Sequence, residues 1–104
     1  MEELMDELIR FQKEREWKKF HTPENLAKSI SIEAAELLEH FQWGKEYDVG
    51  EVSEELADVL IYCLYMVNAL DLDFNEIILD KMKKNAIKYP VEKSKGNAKK
   101  YTEF

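Results

Sequence analysis

The chain has 104 residues, enough for one domain with a modest core, and 45% of them are hydrophobic against 36% charged. A net charge of −7 and a pI near 4.9 exclude a protein that grips nucleic acid through a basic surface, and the single Cys63 excludes an internal disulfide framework. Three glycines and two prolines are few for an all-β chain, and abundant Ala, Leu, Glu and Lys favour helix.

The N-terminal stretch MEELMDELIR is acidic and amphipathic, unlike a secretory signal. Leu4, Leu8, Phe11 and Arg15 follow helical spacing, with Ile9 beside them, and predict a first helix over 2–19. In HTPENL, Thr22 suits an N-cap and Pro23 the first position of a second helix, which runs to about Gln42 and stops at Gly44. GKEYDVG then leads to a third helix over 51–70. Its apolar run, VLIYCLYMVNAL, is too short to span a bilayer and carries Asn68, so a cytoplasmic protein with no membrane partner is expected. Cys63 within that run reads as a buried thiol. In DFNE, Asp73 and Glu76 have capping-box spacing and open a fourth helix that ends before Pro90. Residues 91–104 are Lys-rich and read as an irregular tail, ordered by a ligand or a neighbouring subunit. The expectation is all-α: one domain over 1–104, folded as an antiparallel four-helix bundle-like unit.

The third helix also speaks to assembly. At about 100° per residue, Leu56, Leu60, Cys63, Leu64, Val67 and Leu70 share a side, and Val59, Ile61 and Met66 widen the apolar arc past half the circumference. A helix apolar on most sides must be covered on most sides. Three partner helices can hardly do that and also shield the first two, so a homo-oligomer is expected. A tight monomer with the third helix at its centre is the alternative.

The second helix carries an anomaly. Leu26, Ile30, Ala34, Leu37 and Phe41 define its apolar stripe, yet Glu33 projects inside that stripe and Glu36 lies at its edge, near Ser29 and His40. The third helix repeats the device with Glu55 and Asp58 on its polar face, Tyr62 one turn further on. Unpaired carboxylates near a core are costly. Glu-x-x-Glu alone is common in acidic helices, and EELAD alone reads as a solvated face. Both pairs on helices joined by a short connection make an oxygen-only site on antiparallel neighbours. Hard oxygen ligands suit Mg²⁺, with Mn²⁺ as a substitute, and Mg²⁺ commonly binds substrate phosphates, so a phosphate ester is the expected substrate. A di-iron bundle wants Glu-x-x-His, but Leu37 precedes His40 by three residues and Lys18 precedes His21. An EF-hand beginning at Asp71 lacks its glycine and has Met82 at the twelfth position, and no P-loop or Gly-rich dinucleotide turn is present.

Glu33-x-x-Glu36, an 18-residue spacer and Glu55-x-x-Asp58 resemble the all-α nucleotide pyrophosphohydrolases of the MazG type. The blocks REWKKFHTPENL, EAAELLEHFQW, EELADVLIY, KMKKNAIKYPV and KYTEF extend the resemblance over nearly the whole chain and point to its dCTP-pyrophosphatase branch. The resemblance implies hydrolysis of a nucleoside triphosphate between the α and β phosphates, giving monophosphate and pyrophosphate, in nucleotide-pool control or house-cleaning. It implies Mg²⁺ held by Glu33, Glu36, Glu55 and Asp58, and a homodimer or a homotetramer built as a dimer of dimers. Glu33 is the candidate general base, since burial should raise its pKa.

Aromatic faces can stack a nucleobase, and the resemblance places Trp17, Trp43 and Tyr62 in the base pocket. His21 either touches substrate or bonds the backbone at the helix start. Lys81, Asn85 and Lys88 recur at helical spacing, the usual pattern of a solvated face; the resemblance assigns Lys81 and Asn85 to the phosphates. Lys100 and Tyr101 are candidates to close over the nucleotide, from this or another subunit. Leu8 stands nine residues before Trp17, where relatives of the vertebrate type carry a His, which removes a polar contact to the base. Two competing readings are a non-catalytic helical interaction module with a solvated acidic face, and a related hydrolase acting on dUTP or a modified nucleotide.

Overall fold

The computed structural model describes residues 2–103, apart from the side chain of Tyr101. Every regular element among them is helical: α1 Glu2–Glu14, α2 Pro23–Glu39, α3 Val49–Ala69, α4 Phe74–Lys88, the single turn α5 Val91–Ser94, and a 3-10 turn over Tyr101–Glu103. The chain divides into two compact units, Met1–Leu72 and Asp73–Phe104. No helix among the described residues is long and apolar enough to cross a membrane.

Three helix starts follow from side-chain capping. Thr22 accepts from the Asn25 N–H at 3.3 Å ahead of Pro23, and Asp73 accepts from the Glu76 N–H at 2.8 Å ahead of α4. Asp48 caps α3 through the Glu51 N–H at 3.0 Å, so α3 starts at Val49, earlier than the expected Glu51.

The first helix is shorter than its periodicity predicts. It stops at Glu14 because Glu16 adopts a left-handed φ of 54°. The Trp17 N–H then reaches back to the Gln12 carbonyl and the Glu16 N–H to that of Lys13, the two bonds of a Schellman turn. Asp71, with φ 55°, closes α3 in the same way: Leu72 N–H bonds the Val67 carbonyl and Asp71 N–H that of Asn68. The second helix also ends before Gln42, at Glu39, and loose turns carry the chain to Gly44.

In the first unit α2 and α1 both pack on α3. His40 faces Glu51 at 3.9 Å while Glu33 meets Glu55 and Asp58, so positions rise along α3 as they fall along α2, and the two helices are antiparallel. The core consists of Leu26, Leu64, Tyr65 and Val67. The Tyr65 hydroxyl donates to the Leu8 carbonyl at 3.0 Å and ties α3 to α1; burial raises its pKa. The covered stripe of α1 is Met5, Leu8, Ile9 and Gln12, whereas Leu4 and Phe11 are largely exposed. On α3 the apolar arc is only partly covered, with Leu56, Leu60 and Leu70 each 44–51% exposed. In the second unit α4 has no buried residue.

Glycine has no Cβ to strain the left-handed conformation, which costs an ordinary residue about 1–2 kcal/mol. Replacing Glu16 by Gly should therefore stabilise the chain by about 0.5–1 kcal/mol in equilibrium urea unfolding. Unchanged or lower stability would show that the Schellman turn is not strained at this residue.

Candidate active site

Two helix surfaces build the acidic half of the site. Glu33 lies on the face of α2 that meets α3 and is more covered than its neighbour Ala34. Glu55 and Asp58 lie one turn apart on the facing surface of α3, and one carboxylate oxygen from each of Glu33, Glu55 and Asp58 falls within 4.8 Å of the others. Glu36, one turn along α2, is exposed, and its charge still bears on Glu33.

The cluster is not resolved by the protein's own hydrogen bonds. Glu33 Oε2 and Glu55 Oε1 are buried without a partner among the described residues. A buried carboxylate oxygen lacking a donor is among the more expensive groups a fold can carry. The Glu33 carboxyl is pushed up to about 8, first by the Glu55 carboxylate facing it, with which a proton would be shared, then by burial, then by Glu36. Two facing carboxylates can hydrogen-bond only if one holds a proton. A divalent cation between them would satisfy the same oxygens without the proton. An all-oxygen donor set with one exposed member suits Mg²⁺ or Mn²⁺, which keep waters, and so these residues fit such an ion.

The second half of the site is aromatic. The Schellman turn at Glu16 brings Trp17 back beside Phe11, with ring centroids 5.7 Å apart and edge-on. The tight turn over 17–20 then places His21 within 6.1 Å of Trp17, 6.2 Å of Tyr62 and 5.0 Å of Tyr65. Tyr62 lies one turn beyond Asp58 on α3, so the aromatic group and the carboxylates share that helix. Arg15 stacks over the Phe11 ring at 3.5 Å and donates to the Phe11 carbonyl at 3.1 Å. Among the described residues, the His21 side chain makes no bond to the backbone. Its Nδ1 accepts from the Gln12 side-chain amide at 2.8 Å, and burial lowers its pKa. Gln12, 4% exposed, escapes sequence reasoning because a lone Gln at a core-facing position carries no motif.

The structure thus brings together Glu33, Glu55 and Asp58, and separately Trp17, His21 and Tyr62. Trp43 stands in the α2–α3 connection and is 89% exposed; the rings that pair there are Phe41 and Tyr47, 4.8 Å apart. Lys81, Asn85 and Lys100 belong to the second unit, all exposed, and the Tyr101 side chain lies outside the described residues.

A model of the MazG-like family matches residues 28–104. The dCTP pyrophosphatase 1 of Mus musculus is 36% identical over 90% of this chain and 61% of its own length. That of Homo sapiens is 35% identical over the same shares. The chain spans about three-fifths of the length of these curated relatives. A pyrophosphatase from Archaeoglobus fulgidus, solved by crystallography, is 50% identical and superposes with a TM-score of 0.81, covering 86% of this chain and 92% of that one.

The raised Glu33 carboxyl sets a pH dependence. The folded chain keeps this proton up to about 8 while the unfolded chain releases it near 4.5, so folding takes up a proton between those values. The contribution to stability is present below the unfolded value and is lost as pH rises through the folded one. Without metal, the melting temperature should fall between about pH 5 and about pH 8, and Mg²⁺ or Mn²⁺ should flatten that fall. Glu33→Gln should remove the slope. Equal slopes for both proteins in thermal melts would show that Glu33 is not the strained group.

Proposed function

The chain belongs to the MazG-like family, and from that premise we propose that it is a Mg²⁺-dependent nucleoside triphosphate pyrophosphohydrolase that splits the bond between the α and β phosphates. The observation that carries the reading is the pair of buried, partnerless oxygens on Glu33 and Glu55, beside Asp58. An interaction module has no use for carboxylates turned toward one another. The relatives named dCTP pyrophosphatase 1 support a deoxycytidine nucleotide, or a modified one, as the preferred substrate. A different base preference, such as dUTP, is the second reading, favoured by Leu8 in place of a polar residue.

When bound, the cation offsets charge on the phosphates and lowers the barrier to attack by water. The protein's own contribution is positional. Glu36, Glu55 and Asp58 fix the negative field that selects the ion, and Glu33 takes the proton of the attacking water. Trp17 and Tyr62 hold the base face-on, with His21 at its edge and Trp43 available from the connection. The resemblance assigns Lys81 and Asn85 to the phosphates, and Lys100 and Tyr101 remain candidates to close over a nucleotide, from this or another subunit. An acidic chain needs such compensation to accept a polyanion.

The protein works as a homodimer or a dimer of dimers. Support comes from apolar side chains that one copy leaves in water: Leu38, Val49, Met82 and Ile87 are 60–82% exposed. Light scattering should find an assembly; a monomer at micromolar concentration would remove the oligomer from the reading.

The decisive assay is turnover of a panel of ribo- and deoxyribonucleoside triphosphates, with pyrophosphate and orthophosphate measured separately. Pyrophosphate release that needs Mg²⁺ and is fastest for one base is expected. Glu33→Gln should slow it by about 10²–10⁴-fold while the cation still binds. Full activity in that variant would assign the proton to another group. No turnover of any nucleotide, and no effect of cation on the melting temperature, would favour the interaction module.

A further inference from the structure

The role of Gln12 is not explained by packing. Among the described residues of α1 it is the one buried side chain, at 4% exposed, on a stripe otherwise made of Met5, Leu8 and Ile9. A leucine would fill that position at lower cost, because a buried amide must be hydrogen-bonded to be tolerated. Its amide nitrogen lies 2.8 Å from His21 Nδ1, and that is its single side-chain hydrogen bond among the described residues. An amide N–H can donate to Nδ1 only when that nitrogen carries no proton. The neutral ring then keeps its proton on Nε2. His21 is partly buried among the rings of Trp17, Tyr62 and Tyr65, and among the described residues no charged group faces it across a hydrogen bond to favour the imidazolium. Nε2 has no protein partner among the described residues, which leaves its N–H free to donate.

We propose that Gln12 is a positioning residue for substrate selection: it holds His21 as the neutral Nε2–H tautomer, so that the ring offers a fixed donor to an acceptor atom of the nucleobase, a carbonyl oxygen or an unprotonated ring nitrogen. The inference rests on the nucleotide-hydrolysing reading of the site and extends it to how the base is discriminated. A donor held in one orientation by a buried partner favours a base that presents an acceptor and penalises one that presents an N–H, since the two donors would be left facing each other. The device is distinct from the carboxylate cluster, so it should act on recognition and leave the chemical step largely alone.

Three proteins test it: wild type, Gln12→Met, which keeps the volume without the amide, and Gln12→Glu, which replaces the donor by an acceptor. Imidazole nitrogen chemical shifts at neutral pH report the His21 tautomer without any nucleotide. Wild type should show the Nε2–H form, and Gln12→Glu should move the proton to Nδ1 or charge the ring. In turnover assays both variants should raise KM for the preferred nucleotide by about tenfold, the worth of one oriented hydrogen bond, narrow the preference among bases, and change kcat little. A wild-type ring protonated on Nδ1 would overturn the proposal. So would a Gln12→Met protein with wild-type KM and base preference, since packing alone would then explain the residue. Absence of turnover in the wild type would overturn the substrate half together with the enzyme reading, while the tautomer measurement still decides the Gln12–His21 half.

Discussion

Like charge across the α2–α3 seam is the constraint on which the rest of this structure depends. Two unit charges about 4 Å apart repel by about 4 kcal/mol at an effective dielectric of about 20, against a typical domain stability of about 5–15 kcal/mol. Glu33, Glu55 and Asp58 bring carboxylate oxygens within 4.8 Å, in a unit whose core is Leu26, Leu64, Tyr65 and Val67. A proton or a cation in the cluster relieves that repulsion. The raised Glu33 carboxyl is the proton solution, and an all-oxygen cation site is the other. The antiparallel pairing of α2 and α3 makes the cluster unavoidable, because it sets residue 33 against 55 and 58 while His40 meets Glu51.

The aromatic group is held by a different device. Its members come from the end of α1, the turn before α2 and the middle of α3, and no single helix could assemble them. The left-handed Glu16 turns the chain back so that Trp17 covers Phe11, and the cap at Thr22 fixes where His21 leaves the turn. The Tyr65 hydroxyl bond to Leu8 locks α1 against α3, and Gln12 lies one turn further along the same face. Backbone strain at one residue is thus coupled to the placement of three rings.

The apolar surface follows from the same economy. Using the polar face of α3 for carboxylates and its C-terminal part for the core leaves Leu56 and Leu60 largely exposed, while α4 has no fully buried residue. These exposed apolar side chains are the observation on which the proposed oligomer rests.

By itself the sequence determined whatever depends on a few neighbouring residues. Thr22-Pro23 and Asp73 start helices by local capping, and both are where their chemistry requires. Glu33 was legible because a charge inside an apolar stripe contradicts the pattern, and Glu55 and Asp58 because the spacing repeated. The tertiary structure decided the rest. It ended α1 at Glu14, which nothing local announces, since Glu16 takes a left-handed conformation without being glycine. It chose Met5, Leu8 and Gln12 over Leu4 and Phe11 as the covered side of α1, a choice made by the surface of α3. It left Glu36 exposed beside a cluster of three, and drew Gln12 to His21. Periodicity says that a helix has two sides, but only the partner helix says which side it meets. A hydrogen bond between residues 12 and 21 exists only once the turn between them has been folded.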